Sequence, residues 1–232
     1  MLALKLGMSI GGSNKPMGGW TPDSEGTDLV AWYKNKGGIT LNGSDVSRWA
    51  DSSSNSHDMV QATASEQPAY NASTGALTFD KTAAQNLQTT SQISISSDFT
   101  VGVKLDPSAI NVIVLGDNTT NNEFFKIKDS TTLRFKLSHE GTNTHIDITV
   151  NDGELIADNY IVVTRVSNVV SLYVNGTLQT DTETLEGTVD IDAIGVRATD
   201  ANPYDGIIQE VQIYDSTSAA LTANINTYLS TL

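Results

Sequence analysis

The chain has 232 residues, no cysteine and a formal charge of −14, from 27 acidic and 13 basic side chains. This length is consistent with one domain, and the absence of cysteine excludes disulfides, zinc–thiolate sites and thiol nucleophiles. The acidic excess argues against nucleic-acid binding, because that function uses lysine and arginine to neutralise phosphates.

The first ten residues alternate apolar and polar side chains, which is the pattern of a β-strand. A connector rich in glycine and proline follows, so we predict an arm and connector over residues 1–27 and one domain over residues 28–232. Such a strand pairs either with a sheet of its own domain or with a neighbouring protein, and both alternatives stay open. In the second alternative the partner-docking residues are Leu2, Leu4, Leu6, Met8 and Ile10.

The sequence lacks a continuous apolar stretch of the length that a secretion signal or a membrane-spanning helix needs. We therefore expect a protein that is made in a cytoplasm and has no membrane partner.

The stretch WADSSSNSHD, residues 49–58, collects oxygen-bearing side chains behind a tryptophan. Calcium takes six to eight oxygen ligands from carboxylates, carbonyls and water, so Asp51, Asn55 and Asp58 form a candidate calcium site. The same residue types also form turns by bonding their own backbone. We expect chiefly the turn, with calcium as the alternative, and no other cofactor.

Short alternating runs continue along the rest of the chain and predict antiparallel strands separated by turns. The residues predicted to face the core are Phe99, Val101, Val103, Leu105, Leu133, Phe135, Leu137, Ile146, Ile148, Val150, Val170, Leu172, Val174, Ile207, Val211 and Ile213. Asn151–Gly153 and Asn175–Gly176 carry residues that tolerate positive φ angles, and they predict tight hairpins. The pattern indicates an antiparallel sandwich or barrel.

The C-terminal segment predicts one helix. Leu221, Ile225, Tyr228 and Leu229 fall on a single helical face. Either Ser216 or Ser218 is suited to cap its first turn.

Three stretches, residues 28–61, 159–196 and 204–229, contain "LVAWY", "LYVNG" and "YDGIIQEVQIY" in that order. With these motifs the chain resembles the laminin-G-like branch of the concanavalin A-like lectin/glucanase superfamily. The resemblance implies an all-β fold, an antiparallel two-sheet jelly-roll sandwich with an N-terminal arm and a short C-terminal helix. It also implies a calcium ion at the sandwich rim, as that branch often holds.

The arm, the "GW.P" connector and the "W.D" turn are also similar to capsid- or tail-associated proteins of tailed phages. This similarity implies a non-enzymatic virion structural protein that decorates a capsid or belongs to a tail or fibre. Its implied partners are other virion proteins, with a homo-oligomer and surface glycans as further expectations. The alternatives are a carbohydrate-binding module of a cell-surface protein and, third, a glycan hydrolase.

Sugar recognition requires an exposed aromatic side chain beside polar loops. Tyr204, close in sequence to Asp200 and Asn202, is the candidate glycan contact, whereas Trp32 and Trp49 are expected in the core.

Hydrolysis requires two carboxylates at a defined separation. Asp190, Asp192 and Glu210 are the nearest candidates, but none has a second glutamate at the spacing that glucanases of this fold use. We therefore expect outward-facing strand acids and no enzyme. The three histidines, His57, His139 and His145, form no recognisable metal-ligand set.

Overall fold

The computed structural model describes residues 19–120, 124–139, 142–198 and 201–232. The predicted arm residues Leu2 to Ile10, and Asp200, lie outside these ranges.

Eighteen strands, three short 3-10 helices and one α-helix lie within the described residues. In chain order the strands are β1 (Leu29–Tyr33), β2 (Ile39–Asn42), β3 (Asp45–Trp49), β4 (Met59–Val60), β5 (Ala69–Asn71), β6 (Ala76–Phe79), β7 (Leu87–Ile95), β8 (Phe99–Pro107), β9 (Val112–Gly116), β10 (Phe124–Ile127), β11 (Thr132–His139), β12 (Thr142–Thr149), β13 (Asn159–Val166), β14 (Val169–Val174), β15 (Thr177–Leu178), β16 (Glu183–Thr184), β17 (Val189–Ile194) and β18 (Gly206–Tyr214). The helices are Pro22–Asp28, Ala64–Glu66 and Lys81–Ala83, which are 3-10, and α1 (Ala219–Leu229).

The strands form two antiparallel layers. The first layer has the order β1–β18–β8–β13–β14. The second has the order β4–β7–β17–β9–β10–β11–β12. Strands β3, β5 and β6 connect the layers along one side. The inner faces of both layers share one apolar core, as expected when alternating side chains of two sheets interdigitate. The predicted two-sheet jelly-roll sandwich is confirmed.

The predicted core-facing residues are buried, with one exception in β18. The pairing of β18 with β8 shifts register between Ile208 and Glu210, because a β-bulge inserts an extra residue there. Ile208 is consequently buried in the core, and Ile207 is half-buried outside it. The prediction for Ile207 is wrong because simple alternation does not anticipate a bulge.

One of the two predicted hairpins exists. Asn175 and Gly176 have φ angles of 50° and 79°, and they connect β14 to β15. Asn151–Gly153 instead lies where the chain passes from β12 in the second layer to β13 in the first, so that hairpin prediction is wrong. The tight turn between β13 and β14 is formed by Ser167 and Asn168, with φ angles of 49° and 68°.

Helix α1 covers the outer face of the first layer. Leu221, Ile225 and Leu229 are buried against that face, as their spacing predicts, and the Ser218 hydroxyl accepts a hydrogen bond from the Leu221 N–H. The close approach depends on Gly102 in β8, where an added Cβ would lie 2.6 Å from Ile225 Cγ2.

The described part of the predicted connector packs on the domain. The Trp20 ring makes an edge contact with Tyr228 of α1, with centroids 6.0 Å apart, and its indole N–H donates to Glu25. In the described part of the chain, no helix is long and apolar enough to span a membrane.

Candidate functional site

The loop at residues 49–58 is held together by the carboxylate of Asp51. This carboxylate accepts hydrogen bonds from the backbone N–H groups of Trp32 (2.9 Å), Ser53 (2.8 Å) and His57 (3.1 Å), and from the Ser53 hydroxyl (2.7 Å). Asp51 therefore connects the loop to β1 and also closes the loop on itself.

The other two residues of the candidate calcium site have protein partners as well. Asn55 donates to the carbonyls of Leu29 and Val30 at 3.1 and 2.9 Å. Asp58 accepts from Arg48 and from the Asp51 N–H, and these donors lower the pKa of Asp58 against the opposing effect of burial. The carboxylates of Asp51 and Asp58 thus accept from protein donors, the amide of Asn55 ties the loop to β1, and we assign the loop a structural role.

No group of three or more His, Asp or Glu side chains suited to a metal ion occurs among the residues that the structure describes. His145 lies opposite Lys136 on β11, whereas His139 lies opposite Thr142. The two histidines are therefore not cross-strand partners.

Tyr204 is not a surface residue, and its prediction as an exposed glycan contact is wrong. The side chain is fully buried, its ring packs edge-on against Phe79, and its hydroxyl donates to the Ile207 carbonyl at 3.1 Å. Its neighbour Asn202 accepts a hydrogen bond from Asn111. The sequence favoured exposure because polar residues surround Tyr204, but the ring points inward.

Glu210 and Asp192 are buried, so their prediction as solvent-facing strand acids is wrong in that respect. Glu210 belongs to β18, and its side chain lies on the face of that strand covered by α1. Its carboxylate accepts hydrogen bonds from the Trp32 indole N–H (2.7 Å), the Asn35 N–H (3.0 Å) and the Gln212 amide (2.7 Å). Burial raises the pKa of Glu210 despite these donors. This carboxylate is enclosed by its own donors and is not placed to meet a substrate.

Asp192 belongs to a groove on the outer face of the second layer. The groove has a volume of about 610 Å³. Its lining residues come from β4, β7, β17 and the segments beside them: Val60, Gln61, Ala62, Gln88, Thr89, Thr90, Gln92, Asn118, Thr119 and Asp192.

An irregularity in β7 shapes this groove. Ile93 pairs with Ile191, and Gln88 pairs with Ala193, so the four residues 89–92 of β7 lie opposite Asp192 alone. Extra residues in one strand bend it and redirect its side chains. His57 of the 49–58 loop contacts this segment of β7, and its Nδ1 lies 2.8 Å from the Ser91 carbonyl oxygen. The contact holds the bend in place.

Four side-chain amides form a continuous hydrogen-bonded chain along the groove. Asn118 donates to Gln88 (2.7 Å), and Gln88 and Gln61 both donate to the Oδ1 of Asn86 (2.9 and 3.1 Å). We call these four residues the amide chain. Because each amide is fixed by its neighbour, the remaining donors and acceptors of Gln61, Gln88 and Asn118 have defined orientations beside the groove.

The turn after β9 is set by Asp117. Its buried carboxylate accepts from the N–H and hydroxyl groups of both Thr119 and Thr120. The turn brings the Asn118 N–H to the carboxylate of Asp192. Burial raises the pKa of Asp192, and the nearby charges of Asp117 and Asp190 add to the increase.

The amide chain and the groove lie on the outer face of a two-layer sandwich. The sequence of the chain also matches a known family model. The model described as the concanavalin A-like lectin/glucanases superfamily matches residues 71–224, more than half of the chain. The chain belongs to this superfamily. No sequence among the curated proteins matches this concanavalin A-like domain.

Solved structures similar to this concanavalin A-like domain include domain 4 of AbnA, an extracellular GH43 arabinanase from Geobacillus stearothermophilus, in complex with arabinotriose. That domain is 14% identical, with 86% of this chain and 97% of that chain covered and a TM-score of 0.57. A second is the Trypanosoma rangeli sialidase with 2,3-difluorosialic acid, which is 16% identical, with 87% of this chain and 32% of that chain covered and a TM-score of 0.52. At these identities the likenesses show the fold.

The groove of this concanavalin A-like domain was not predicted from the sequence, apart from the naming of Asp192. Glutamine and asparagine in short strands resemble any solvent-facing residue, and alternation gives no sign of the β7 bend. The available signal was the polar pair Asn86 and Gln88, which flanks the buried Leu87 at the start of β7.

Proposed function

We propose that the groove binds a saccharide and that the chain does not hydrolyse it. The observation that carries the proposal is the amide chain, because it presents preorganised donors and acceptors within a concave surface. Sugar hydroxyl groups are both donors and acceptors, so fixed amides and the hydroxyls of Thr90 and Thr119 are complementary to them.

The carboxylates support a binding role without hydrolysis. Glycosidases generally use two carboxyl groups about 5 to 9.5 Å apart on either side of the scissile bond. Asp192 is the one carboxylate among the described residues that line the groove, and Glu210 lies under α1 on the other layer.

The similarity to domain 4 of AbnA supports a saccharide as ligand class. That domain was solved with arabinotriose and is covered over 97% of its length, so a fold of this architecture carries a neutral oligosaccharide in that protein. The ligand of the present groove follows from its own amides and hydroxyls.

The test is a glycan array followed by titration calorimetry with the best-bound oligosaccharide. Gln88→Ala removes both the acceptor for Asn118 and a donor to Asn86, so we expect affinity to fall about tenfold, corresponding to about 1.4 kcal/mol. Gln209→Ala, the same substitution on the first layer, is the matched control and should leave affinity unchanged. The proposal fails if no glycan binds, or if both variants bind as the wild type does.

A second proposed function, as a virion structural protein of a capsid or tail, is favoured by the alternating apolar pattern of residues 2–10. In this role the arm would pair with a sheet of another virion protein while the groove faces outward. Five apolar side chains provide several kcal/mol, at about 25 cal/mol per Å² of apolar surface buried.

Co-sedimentation with particles that lack this protein tests the virion role. The full chain should co-sediment, whereas a chain without residues 1–18 should stay in the supernatant and still show the thermal unfolding of a folded domain. Equal co-sedimentation of both chains, or of neither, would refute attachment through the arm. A module of a cell-surface protein is the alternative that such a result would favour.

A further inference from the structure

The outer face of the second layer carries a concentration of positive charge that the acidic composition of the chain does not lead one to expect. Five of the 13 basic side chains lie on β10, on β11, beside them or just after β17. We call these residues the cationic strip: Lys126, Lys128, Arg134, Lys136 and Arg197.

Strand register places these side chains together. Lys126 lies opposite Arg134, and the alternate residues Phe125, Ile127, Leu133 and Phe135 face the core. Because successive residues of a strand point to opposite faces, Lys126, Arg134 and Lys136 share the outer face. Directly opposite residues have Cβ atoms about 5 Å apart, so their charges interact.

The carboxylate of Asp147 is directly paired with two residues of the strip. It bonds Arg134 Nε at 2.6 Å and Lys128 Nζ at 2.8 Å, and the Arg134 side chain is the main donor that lowers the pKa of Asp147. Burial, followed by the charges of Arg197 and Arg134, lowers the pKa of Lys126. Burial and Arg197 act in the same direction on Lys136. The positive charges thus act on one another as well as on Asp147.

The strip and the groove adjoin through β9. Gly116 at the end of β9 pairs with Phe124 of β10 on one side and Ala193 of β17 on the other. An added Cβ at Gly116 would lie 3.1 Å from Arg197 Cβ, and Asn118 of the amide chain is two residues further along. The strip and the groove therefore lie on neighbouring strands of the second layer, and Arg197 is the strip residue beside β9.

We propose that the cationic strip binds the carboxylate groups of an acidic saccharide whose neutral hydroxyls occupy the groove. The proposal rests on the proposed function and names the substrate class for the same face. Lysine and arginine form charge-assisted hydrogen bonds with carboxylates that are stronger than bonds between neutral groups.

A saccharide fits this face better than a nucleic acid does. Within the described part of the chain, the residues that line the groove include no aromatic side chain on which bases could stack. The net charge of −14 also disfavours binding of a polyanion that extends beyond the strip onto the acidic surface. The charged groups of an oligosaccharide with one or two carboxylates would contact only the strip.

The experiment uses the full chain and a set of oligosaccharides with one or two carboxylates, namely digalacturonate, dimannuronate, sialyllactose and a hyaluronan tetrasaccharide. Each is compared with its own neutral methyl ester by titration calorimetry. We expect at least one acid to bind about tenfold more tightly than its ester, with the advantage decreasing as salt is added. The proposal is overturned if no acid binds more tightly than its ester.

Two variants test whether the strip causes the tighter binding of the acid than of its ester. Lys126→Gln should reduce the advantage of the acid to about threefold or less and leave ester affinity unchanged, which also shows that the fold is intact. Lys36→Gln, the same change at an exposed lysine outside the strip, should keep the full advantage. Equal behaviour of the two variants would overturn the assignment.

Two further outcomes separate this inference from the proposed function. If esters and acids bind equally, the groove is a saccharide site and the strip has no part in it. If neither binds and the glycan array is also silent, the proposed function fails and the inference fails with it.

Oligothymidylate binding as tight as that of the best acid would overturn the choice of a saccharide in favour of a nucleic acid.

Discussion

Replacing Asp51 with alanine tests the assignment of the 49–58 loop as a structural element. The substitution removes the acceptor for four hydrogen bonds, two of which come from Ser53 inside the loop. The other two come from the backbone N–H groups of Trp32 in β1 and His57 at the far end of the loop.

The magnitude follows from those two longer-range bonds. A hydrogen bond to a charged group contributes roughly 1.5 to 3 kcal/mol, and a buried donor left unpaired adds a cost. The Ser53 groups can be hydrated by water and contribute less. Because the site is only partly buried, we take the lower value for each bond and expect the free energy of unfolding to fall by about 3 kcal/mol. For a domain of this size that is a decrease in Tm of roughly 6 to 12 °C.

Urea denaturation and differential scanning calorimetry measure the effect, each with and without about 1 mM calcium. Asp152→Ala, which removes the same charge from an exposed loop, is the control and should change the free energy of unfolding by less than about 0.5 kcal/mol. A loss below about 1 kcal/mol for Asp51→Ala would refute the structural reasoning. A calcium-dependent stabilisation that disappears in Asp51→Ala would show that the loop is a metal site.

Two further predictions concern the layer beneath α1. Gly102→Ala should destabilise the domain by about 1 to 3 kcal/mol, because the new methyl group would lie 2.6 Å from Ile225 Cγ2. In a Gly102→Ala/Ile225→Ala double variant the two losses of stability should not add. Additive losses, measured by urea denaturation, would contradict this contact. Burial raises the pKa of Glu210, so the folded state keeps this proton after the unfolded chain has released it, and stability falls as pH rises from the unfolded pKa through the folded pKa. The free energy of unfolding of Glu210→Gln relative to wild type should therefore increase with pH across that window, and a difference that is constant between about pH 4 and 8 would be the contrary result.

Apolar periodicity was sufficient to predict the sandwich, because burial of one face imposes a period of two on each strand. Phe99 to Leu105 in β8 and Leu133 to Leu137 in β11 face the core for that reason. The same logic predicted α1, whose Leu221 and Ile225 are buried on one face. Alternation gives no sign of an extra residue in a strand. Ile207 was therefore predicted to face the core, and the β18 bulge made that prediction wrong.

The candidate site could be predicted from the sequence only in part. Turn-forming residues in the 49–58 loop were identified from their chemistry, because aspartate and asparagine bond nearby backbone wherever they occur. The amide chain depends on the contact of Asn118 with Gln88 and on that of Gln61 with Asn86, and each contact joins residues that are far apart in sequence. Tyr204 shows the converse case, since its polar neighbours gave no indication that its ring packs on Phe79.

Binding at the groove is the central claim, and the side-chain amide signals of ¹⁵N-labelled protein test it most directly. On titration with the best oligosaccharide from the array, the NH₂ resonances of Gln61, Gln88, Gln92 and Asn118 should shift with a common dissociation constant, whereas those of Asn35 and Gln209 on the first layer should stay fixed. Shifts confined to the first layer, or no shift at saturating ligand, would contradict the account.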